Sequence, residues 1–390
     1  MRNRVRLLSI ILLIAACQLP GQSAAYYPGP HDDWQRRTPV EAGFDAAALD
    51  EAIAFLKTKE SSKPRDLRLS HELSFGREPY GEPLGPYKPR GGMTGVIVRG
   101  GYLVAEWGEP WRVDMTFSAT KSYLSTTVGL AVAEGLIKSI HDPVSRYVTT
   151  GEFDSPLNAR ITWDHLLRQT SDWEGTLWGK PDWADRPPAG AAELEAYRTR
   201  KHAEPGSTYK YNDTRVNLLA YSALQVWRKP LPQILKERVM DPIGASNTWR
   251  WYGYENSWVN IDGVMMQSVA GGAHFGGGLW ISARDHARFG LLTLRNGKWG
   301  AKQLLREDWV KLARTPTPVQ PTYGFMNWYL NTNRKLWPSA PASSFAHIGN
   351  GANMIYCDPE NDLVMVLRWF DSEAFDEFAR KVQAAMRPSR

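Results

Sequence analysis

The sequence contains very little cysteine, with Cys17 and Cys357 as the two cysteines among its 390 residues. Cys17 lies in a leader-like N-terminal segment, in which it is either removed or modified, so Cys357 remains without a partner. No intramolecular disulfide can then form, even in an oxidising compartment. The fold must therefore hold without one, and Cys357, inside an apolar run, is predicted to be a small core residue.

The sequence also lacks low-complexity stretches, repeats of fixed period and dense runs of basic residues. Its residues are 43% hydrophobic and 12% aromatic, enough for a large core, which argues against a globally disordered chain. The net charge is +6, but the lysines and arginines are scattered rather than clustered as in a nucleic-acid-binding arm. We therefore expect a globular protein of one or two domains that does not bind nucleic acid.

The N-terminus has the three parts of a secretory signal peptide. Arg2, Arg4 and Arg6 precede an apolar run at residues 7–16, and small residues follow up to Ala25. The apolar run is too short to cross a membrane. The sequence predicts an exported protein, periplasmic or secreted, with residues 1–25 as its signal peptide.

A second processing route fits the same segment equally well. Ile14-Ala15-Ala16-Cys17 resembles a bacterial lipoprotein box, in which Cys17 becomes the lipidated first residue of the mature chain. The protein would then be attached to the bacterial envelope through this lipid. The sequence leaves both routes open.

Apolar periodicity and turn residues predict where helices and strands lie. Leu49, Ile53 and Leu56 have helical spacing, and Gly100-Gly101 separates two strand-like runs as a hairpin turn does. Residues 60–92, rich in proline, are predicted to be a long irregular excursion. The predicted elements are a helix at 44–57, strands within 94–107, at 345–347, 352–357 and 363–369, and a closing helix at 370–386.

This order of elements predicts an α+β fold. Strands from both ends of the chain form one antiparallel sheet flanked by helices, and a mainly helical region at about residues 140–300 is inserted between them. Residues 26–390 then form a single domain made of these two parts. We expect the active site to lie between the sheet and the inserted region.

The stretch at residues 116–122 carries the first chemical signal. If a helix begins here, Ser118 and Lys121 lie three residues apart on one helix face, close enough for the amine to reach the hydroxyl. A serine hydroxyl is a poor nucleophile without a neighbouring base, and lysine serves as that base when its surroundings lower its proton affinity. This Ser-x-x-Lys spacing predicts Ser118 as the nucleophile of a hydrolase.

A second Ser-x-x-Lys match, Ser207 to Lys210, shows that the spacing alone is weak. This match follows Pro205-Gly206 in a turn-prone stretch, whereas Ser118 joins a predicted hairpin to an amphipathic run without proline. Context therefore favours Ser118 over Ser207.

Two further elements follow in chain order. Tyr211 lies in a Tyr-Asn-Asp triplet after the Pro-Gly turn, and His347-Ile348-Gly349 lies in a predicted strand. Together with Ser118 and Lys121, they resemble the serine β-lactamase and penicillin-recognising superfamily, most closely its class C branch, with family VIII carboxylesterases and 6-aminohexanoate-dimer hydrolases among the relatives. The resemblance covers roughly residues 40–385 and implies a β-lactamase-like fold.

The resemblance also implies roles for individual residues. Ser118 is the nucleophile, and Lys121 and Tyr211 share the general-base and general-acid work, with the order of their proton transfers left open. The segment with Gly349 is an edge strand lining the site, and the backbone N–H groups of Ser118 and Asn350 form the oxyanion hole. No metal or cofactor is required.

Two residues depart from the family pattern and bear on the substrate. Asp213 stands where the family usually has asparagine, and His347 replaces the lysine of Lys-Thr-Gly. If both contact substrate, like-charge repulsion and lost pairing disfavour an anionic β-lactam. Gly349 is expected to line the substrate site as well, and His274, just before the glycines at 276–278, contacts substrate or has a structural role.

These features predict an exported serine hydrolase that cleaves an ester or amide bond through an acyl-enzyme on Ser118. Its partner is a small ester, amide or peptide substrate. One alternative is a β-lactamase or a D-amino-acid peptidase acting on cell-wall peptides. Another, of a different class, is a non-catalytic envelope-binding protein with the same fold.

Overall fold

The computed structural model describes residues 25–387. The predicted signal peptide and Cys17, with both processing routes, lie outside the described residues. Within that range, every helix is too short or too polar to cross a bilayer.

Ten α-helices are described between residues 25 and 387: α1 (Ala46–Lys57), α2 (Leu67–Phe75), α3 (Thr120–Ala133), α4 (Trp163–Leu167), α5 (Ala191–Arg198), α6 (Asp213–Trp227), α7 (Leu231–Leu235), α8 (Ala283–Leu294), α9 (Glu307–Ala313) and α10 (Phe375–Ala385). Five of them, α1, α2, α4, α6 and α8, begin at residues whose side chains cap them. Asp45 accepts a hydrogen bond from the Ala48 N–H at the start of α1, and Asn212 accepts one from the Arg215 N–H at the start of α6. Such caps satisfy backbone donors that a helix start leaves open.

The strands in the same range are β1 (Thr94–Arg99), β2 (Tyr102–Trp107), β3 (Asp114–Met115), β4 (Thr176–Leu177), β5 (Lys180–Pro181), β6 (Arg250–Ile261), β7 (Val264–Val269), β8 (Gly278–Ile281), β9 (Lys298–Trp299), β10 (Lys302–Gln303), β11 (Trp328–Leu330), β12 (Phe345–Gly349), β13 (Asn353–Asp358) and β14 (Leu363–Arg368). The main sheet is antiparallel, with six strands in the order β11-β12-β13-β14-β1-β2. It joins the N-terminal hairpin to the C-terminal strands, because Thr94 pairs with Arg368 and Arg99 with Leu363. The predicted α+β fold with a sheet from both chain ends is confirmed.

Alternation along the strands gives the main sheet two buried faces. In β1, Val96 and Val98 pack into the larger core, which also contains α3, α6 and α8, whereas Ile97 packs into a second core with α1 and α10. Successive side chains of a strand point to opposite faces, so both faces need apolar residues when both are covered. This explains the continuous apolar runs in β1 and β14.

The expected helical insertion at about residues 140–300 holds only in its first part. Beyond α7, strands β6, β7 and β8 form a second antiparallel sheet with β3, and α8 packs against β13 and β14 of the main sheet. The β6–β7 turn contains Asp262 and Gly263, both with positive φ. An Asp-Gly pair between aromatic and β-branched residues is a hairpin signal that the helical interpretation overlooked.

The excursion at residues 60–92 is an ordered strap that contains α2. Its Leu84 N–H donates to the Phe275 carbonyl at 2.9 Å, and Lys180 Nζ donates to the Glu82 carbonyl at 2.8 Å. Arg90 holds the other end, where it bonds Glu60 and the Ser61 carbonyl. The strap is therefore fixed against the segment that leads into β8.

Candidate active site

Ser118 lies in a 3-10 turn, Phe117–Ala119, that leads directly into α3. Phe117 has a φ of 48° and packs against Trp369, so the residue before the serine is held in a sparsely populated backbone conformation. Strained residues of this kind cluster at functional sites. The Ser118 side chain is half-buried, and its hydroxyl accepts a hydrogen bond from Lys121 Nζ at 2.8 Å.

Lys121 is fully buried beside a carboxylate. Its Nζ also donates to Asp213 Oδ1 at 2.8 Å, and both side chains are 0% exposed. Burial lowers the pKa of Lys121 to about 8, although the Asp213 carboxylate raises it. Lys121 therefore loses its proton at a lower pH than a solvated lysine does, and the minority that is neutral near pH 7 is able to accept a proton from Ser118.

Asp213 does not face a substrate, which corrects the expectation from sequence. Its second oxygen, Oδ2, accepts from Arg186 Nη1 at 2.8 Å, and its backbone N–H donates to Asp185, which also pairs with Arg186. Burial raises the pKa of Asp213, but the Lys121 and Arg186 charges hold it below its ordinary value. Both oxygens of this carboxylate are therefore bonded by cations of the protein, Lys121 and Arg186.

Tyr211 lies one residue before the cap of α6, with its ring on the other side of Lys121. The Lys121 Nζ is 4.5 Å from the ring centroid, and the hydroxyl donates to Asn327 Oδ1 at 3.0 Å. Burial raises the pKa of Tyr211 well above its ordinary value. Tyr211 is therefore protonated at neutral pH and suited to donate a proton rather than to take the first one.

Asn327 is a site residue that no local sequence pattern singles out. It has a φ of 60° and lies just before β11. Besides accepting from Tyr211, it donates from Nδ2 to the Ile348 carbonyl. It thus joins Tyr211 to the end of β12 through a contact between positions far apart in the chain, which no local pattern reveals.

The end of β12 comes very close to the serine turn. A Cβ added at Gly349 would lie 1.9 Å from the Thr116 carbonyl oxygen, so glycine is required by this approach. It places the Gly349–Asn350 peptide beside residues 116–119, where the family resemblance expects the second oxyanion donor. The expected edge strand is partly corrected, because β11 pairs with β12 from Phe345 to His347.

His347 is a core residue, which corrects its assignment to substrate binding. Its side chain is 0% exposed, its Nε2 lies 3.2 Å from Thr293 Oγ1 of α8, and its ring packs edge-on against Trp328. Burial lowers the pKa of His347 to about 3, so it is neutral. Strand alternation directs it with Phe345 into the larger core rather than towards Ser118.

His274 lies behind the site and has no exposed side-chain surface, so it has the structural role rather than contact with substrate. Its Nε2 bonds Glu78 Oε2 of the strap at 2.7 Å. In the described part of the chain, Asp185, Asp213 and His274 are the one group whose possible metal-ligand atoms lie within 4.8 Å of one another. The positive charges of Lys121 and Arg186 already occupy both Asp213 oxygens, so these residues do not fit a metal ion.

A polar cleft of about 410 Å³ opens beside Asn350. Its walls are the strap, the β12–β13 turn and the segment after β14, at residues 60–63, 348–352 and 370–372. Lys63 Nζ donates to Asn350 Oδ1 at 2.5 Å across it. Gly349 and Asn350 line this cleft, and the approach of Gly349 to Thr116 brings it next to the serine turn.

Comparison with known proteins identifies the family to which this sequence is similar. A protein-family model described as Beta-lactamase matches residues 86–379. Over 269 residues the chain is 24% identical to an Escherichia coli O157:H7 protein with the provisional name D-alanyl-D-alanine carboxypeptidase, covering 58% of this chain and 61% of that protein. The chain thus spans about three fifths of the length of that relative.

Solved structures share the fold at low sequence identity. A provisionally named 6-aminohexanoate-dimer hydrolase from Bacillus anthracis superposes with a TM-score of 0.54 and 19% identity, over 75% of this chain and 77% of that one. A family VIII carboxylesterase gives a TM-score of 0.54 and 16% identity, over 87% and 97% of the two chains. These likenesses concern the fold alone, and α1, α2 and most of the strap precede the family match.

Proposed function

Because this chain belongs to the Beta-lactamase family of serine hydrolases, we propose that it cleaves an ester or amide bond through an acyl-enzyme on Ser118. The observation that carries the proposal is the 2.8 Å contact between Lys121 Nζ and Ser118 Oγ, with burial lowering the pKa of Lys121 to about 8. A nucleophile and a base in this relation are what acyl transfer needs.

In the first step Ser118 Oγ attacks the substrate carbonyl carbon while its proton passes to Lys121 Nζ. The new Oγ–C bond creates an oxyanion, for which the N–H groups of Ser118 and Asn350 are the proposed donors. The leaving group then departs with a proton, for which Tyr211 is the proposed relay. Water attacks the acyl-enzyme, the Oγ–C bond breaks, and the acid product leaves with Ser118 regenerated.

The substrate class within this chemistry is open to a direct test. The charge argument against anionic β-lactams no longer applies, because His347 and Asp213 are both buried away from the cleft. A β-lactamase or D-amino-acid peptidase remains the second candidate, supported by the provisional name of the E. coli relative. Hydrolysis of p-nitrophenyl esters, small linear amides, nitrocefin and D-alanyl peptides by one preparation ranks these classes.

A fluorophosphonate probe tests whether the protein is an enzyme at all. We expect a single covalent adduct on Ser118, located by peptide mass spectrometry. No adduct, together with no hydrolysis across the panel, would favour the non-catalytic binding protein.

We also propose export, from the leader-like sequence at residues 1–25. The intact mass of the mature protein distinguishes cleavage after Ala25 from lipidation at Cys17. A mature chain that retains Met1 would rule out both.

A further inference from the structure

The carboxylate at position 213 creates a problem for the proposed base. A buried carboxylate 2.8 Å from the Lys121 ammonium favours the charged form of the lysine. A lysine that holds its proton cannot take one from Ser118. The asparagine that the family usually has at this position carries no charge. An aspartate here therefore calls for a positive group that balances its charge.

Arg186 lies where such a group is needed. Its Nη1 is 2.8 Å from Asp213 Oδ2, while Lys121 holds Oδ1, so each carboxylate oxygen contacts one cation. The guanidinium also packs 5.0 Å from the Tyr211 ring centroid and 5.6 Å from that of Phe75 in the strap. Its side chain is 29% exposed, at the border between the buried cluster and solvent.

We propose that Arg186 is a positioning residue that keeps Lys121 able to accept the Ser118 proton, by neutralising Asp213 from the side opposite to Lys121. The inference rests on the proposed function and deepens it. Guanidinium keeps its charge at every pH that proteins tolerate, so it can balance a carboxylate without itself titrating.

The charged and titratable groups around Lys121 support this assignment. Asp213 and Asp185 contribute two negative charges, Arg186 contributes one permanent positive charge, and Tyr211 is neutral. His274, paired with Glu78, faces Asp213 from the segment before β8. Without Arg186, the negative charges of Asp213 and Asp185 would raise the pKa of Lys121 with no arginine charge to oppose them. Lys121 would then keep its proton.

The backbone at Gly272 leaves little space around the Lys121–Asp213 pair. A Cβ added at Gly272 would lie 1.7 Å from Asp213 Oδ1 and 2.1 Å from Lys121 Nζ. The backbone therefore seals the side of the Lys121–Asp213 pair that faces residue 272. Asp213 cannot turn away from Lys121 there, so its charge has to be balanced in place.

The test measures the rate at which a neutral fluorophosphonate labels Ser118 between pH 5.5 and 10. The full-length protein and its Arg186→Gln, Asp213→Asn and double variants are compared. The rate of the parent rises with pH as Lys121 loses its proton. We call this rise of the labelling rate with pH the limb. We expect Arg186→Gln to move the limb to a higher pH by about 1–2 units and Asp213→Asn to move it to a lower pH, since each removes one charge close to the lysine.

The double variant and a conservative variant separate this role from a merely structural one. Replacing both Arg186 and Asp213 removes one charge of each sign, so its limb should return towards that of the parent. Arg186→Lys keeps the positive charge and should leave the limb near the parent position. If Arg186→Gln does not fold, the remaining variants still test the proposal, because Asp213→Asn must move the limb down and Arg186→Lys must leave it near the parent position.

The inference is overturned if Arg186→Gln reduces the labelling rate equally at every pH without moving the limb, or if both single variants move it in the same direction. These results leave the proposed function intact, because the parent is still labelled. A parent that is not labelled at any pH overturns the proposed function, and this inference falls with it.

Discussion

The chain contains the same Ser-x-x-Lys spacing twice, and the two copies have different structures. At residues 118–121 the serine lies in the 3-10 turn that leads into α3, the lysine is buried, and Lys121 Nζ lies 2.8 Å from Ser118 Oγ. At residues 207–210 the chain forms a turn, Ser207 donates to the Glu204 carbonyl at 2.6 Å, and Lys210 Nζ donates to the Arg186 carbonyl.

The difference shows what the spacing needs before it becomes a catalytic pair. A helix start places residues three apart on one face, whereas a turn lets each side chain find its own backbone partner. Burial then adds the second requirement, because a solvated lysine keeps its proton at neutral pH. The first copy meets both conditions, whereas in the second Lys210 is only half-buried and bonds the Arg186 carbonyl instead of Ser207.

Replacing the serines should give the largest contrast. Ser118→Ala is expected to abolish covalent labelling and to reduce turnover by about 10³–10⁶-fold, since no other group can form the acyl-enzyme. Ser207→Ala should label as the parent does. Peptide mass spectrometry of the probe adduct checks both, and an adduct on Ser207 in the parent would reverse the assignment.

The two lysines should differ by a smaller factor. Lys121→Met is expected to reduce the labelling rate by about 10²–10⁴-fold, the usual contribution of a positioned base. Lys210 bonds the Arg186 carbonyl rather than Ser207, so the matched change Lys210→Met loses one hydrogen bond and no base, and it should reduce the labelling rate by less than about tenfold. Stopped-flow or gel-based labelling rates measure the ratio, and equal losses for the two variants would contradict the comparison.

Two tyrosines give a third comparison, because Tyr211 packs against Lys121 in space and Tyr209 precedes Lys210 in the sequence. Tyr211→Phe removes the hydroxyl bonded to Asn327 and should lower kcat by about tenfold to a hundredfold, at the lower end of general acid contributions. Tyr209 lies inside the second copy and packs against Tyr323, so Tyr209→Phe should leave kcat nearly unchanged. Steady-state kinetics on the best ester of the panel decides the point.

The smallest effect should be on stability. Ser118→Ala removes the 2.8 Å bond with Lys121 and the 3.5 Å bond to the Gly272 carbonyl from a half-buried side chain, so the free energy of unfolding should fall by no more than about 2 kcal/mol. Ser207→Ala should change it by no more than that. Urea denaturation of both variants provides the values. A loss above about 3 kcal/mol for Ser118→Ala would mean that its inactivity reports unfolding rather than a missing nucleophile.

Local sequence patterns predict three elements of the fold and the site correctly. The apolar spacing of Leu49, Ile53 and Leu56 predicts α1, the Gly100-Gly101 turn predicts the first hairpin, and the position of Ser118 before an apolar run predicts the helix start. The resemblance to the β-lactamase superfamily relates Tyr211 and the segment at 347–349 to the same site. The Beta-lactamase family match confirms this resemblance.

What sequence could not supply depends on which distant residues meet. The face taken by His347 follows from the register of β12 between β11 and β13 and from the packing of α8. The charge of Asp213 does not by itself indicate its role, which depends on Arg186, 27 positions away along the chain in an irregular segment. Neither contact leaves a periodic trace in the sequence.

The pairing of β1 with β14 has a consequence for how the chain folds. Strand β1 lies between β2, its neighbour in sequence, and β14, which ends at Arg368. During synthesis one edge of β1 therefore stays unpaired until the chain has been made as far as β14. Pairing of such distant segments gives a high contact order and slow folding, and an open strand edge is prone to aggregation in the meantime. The central sheet is completed last, so even a short truncation at the C-terminus that removes β14 would leave the middle of the sheet open.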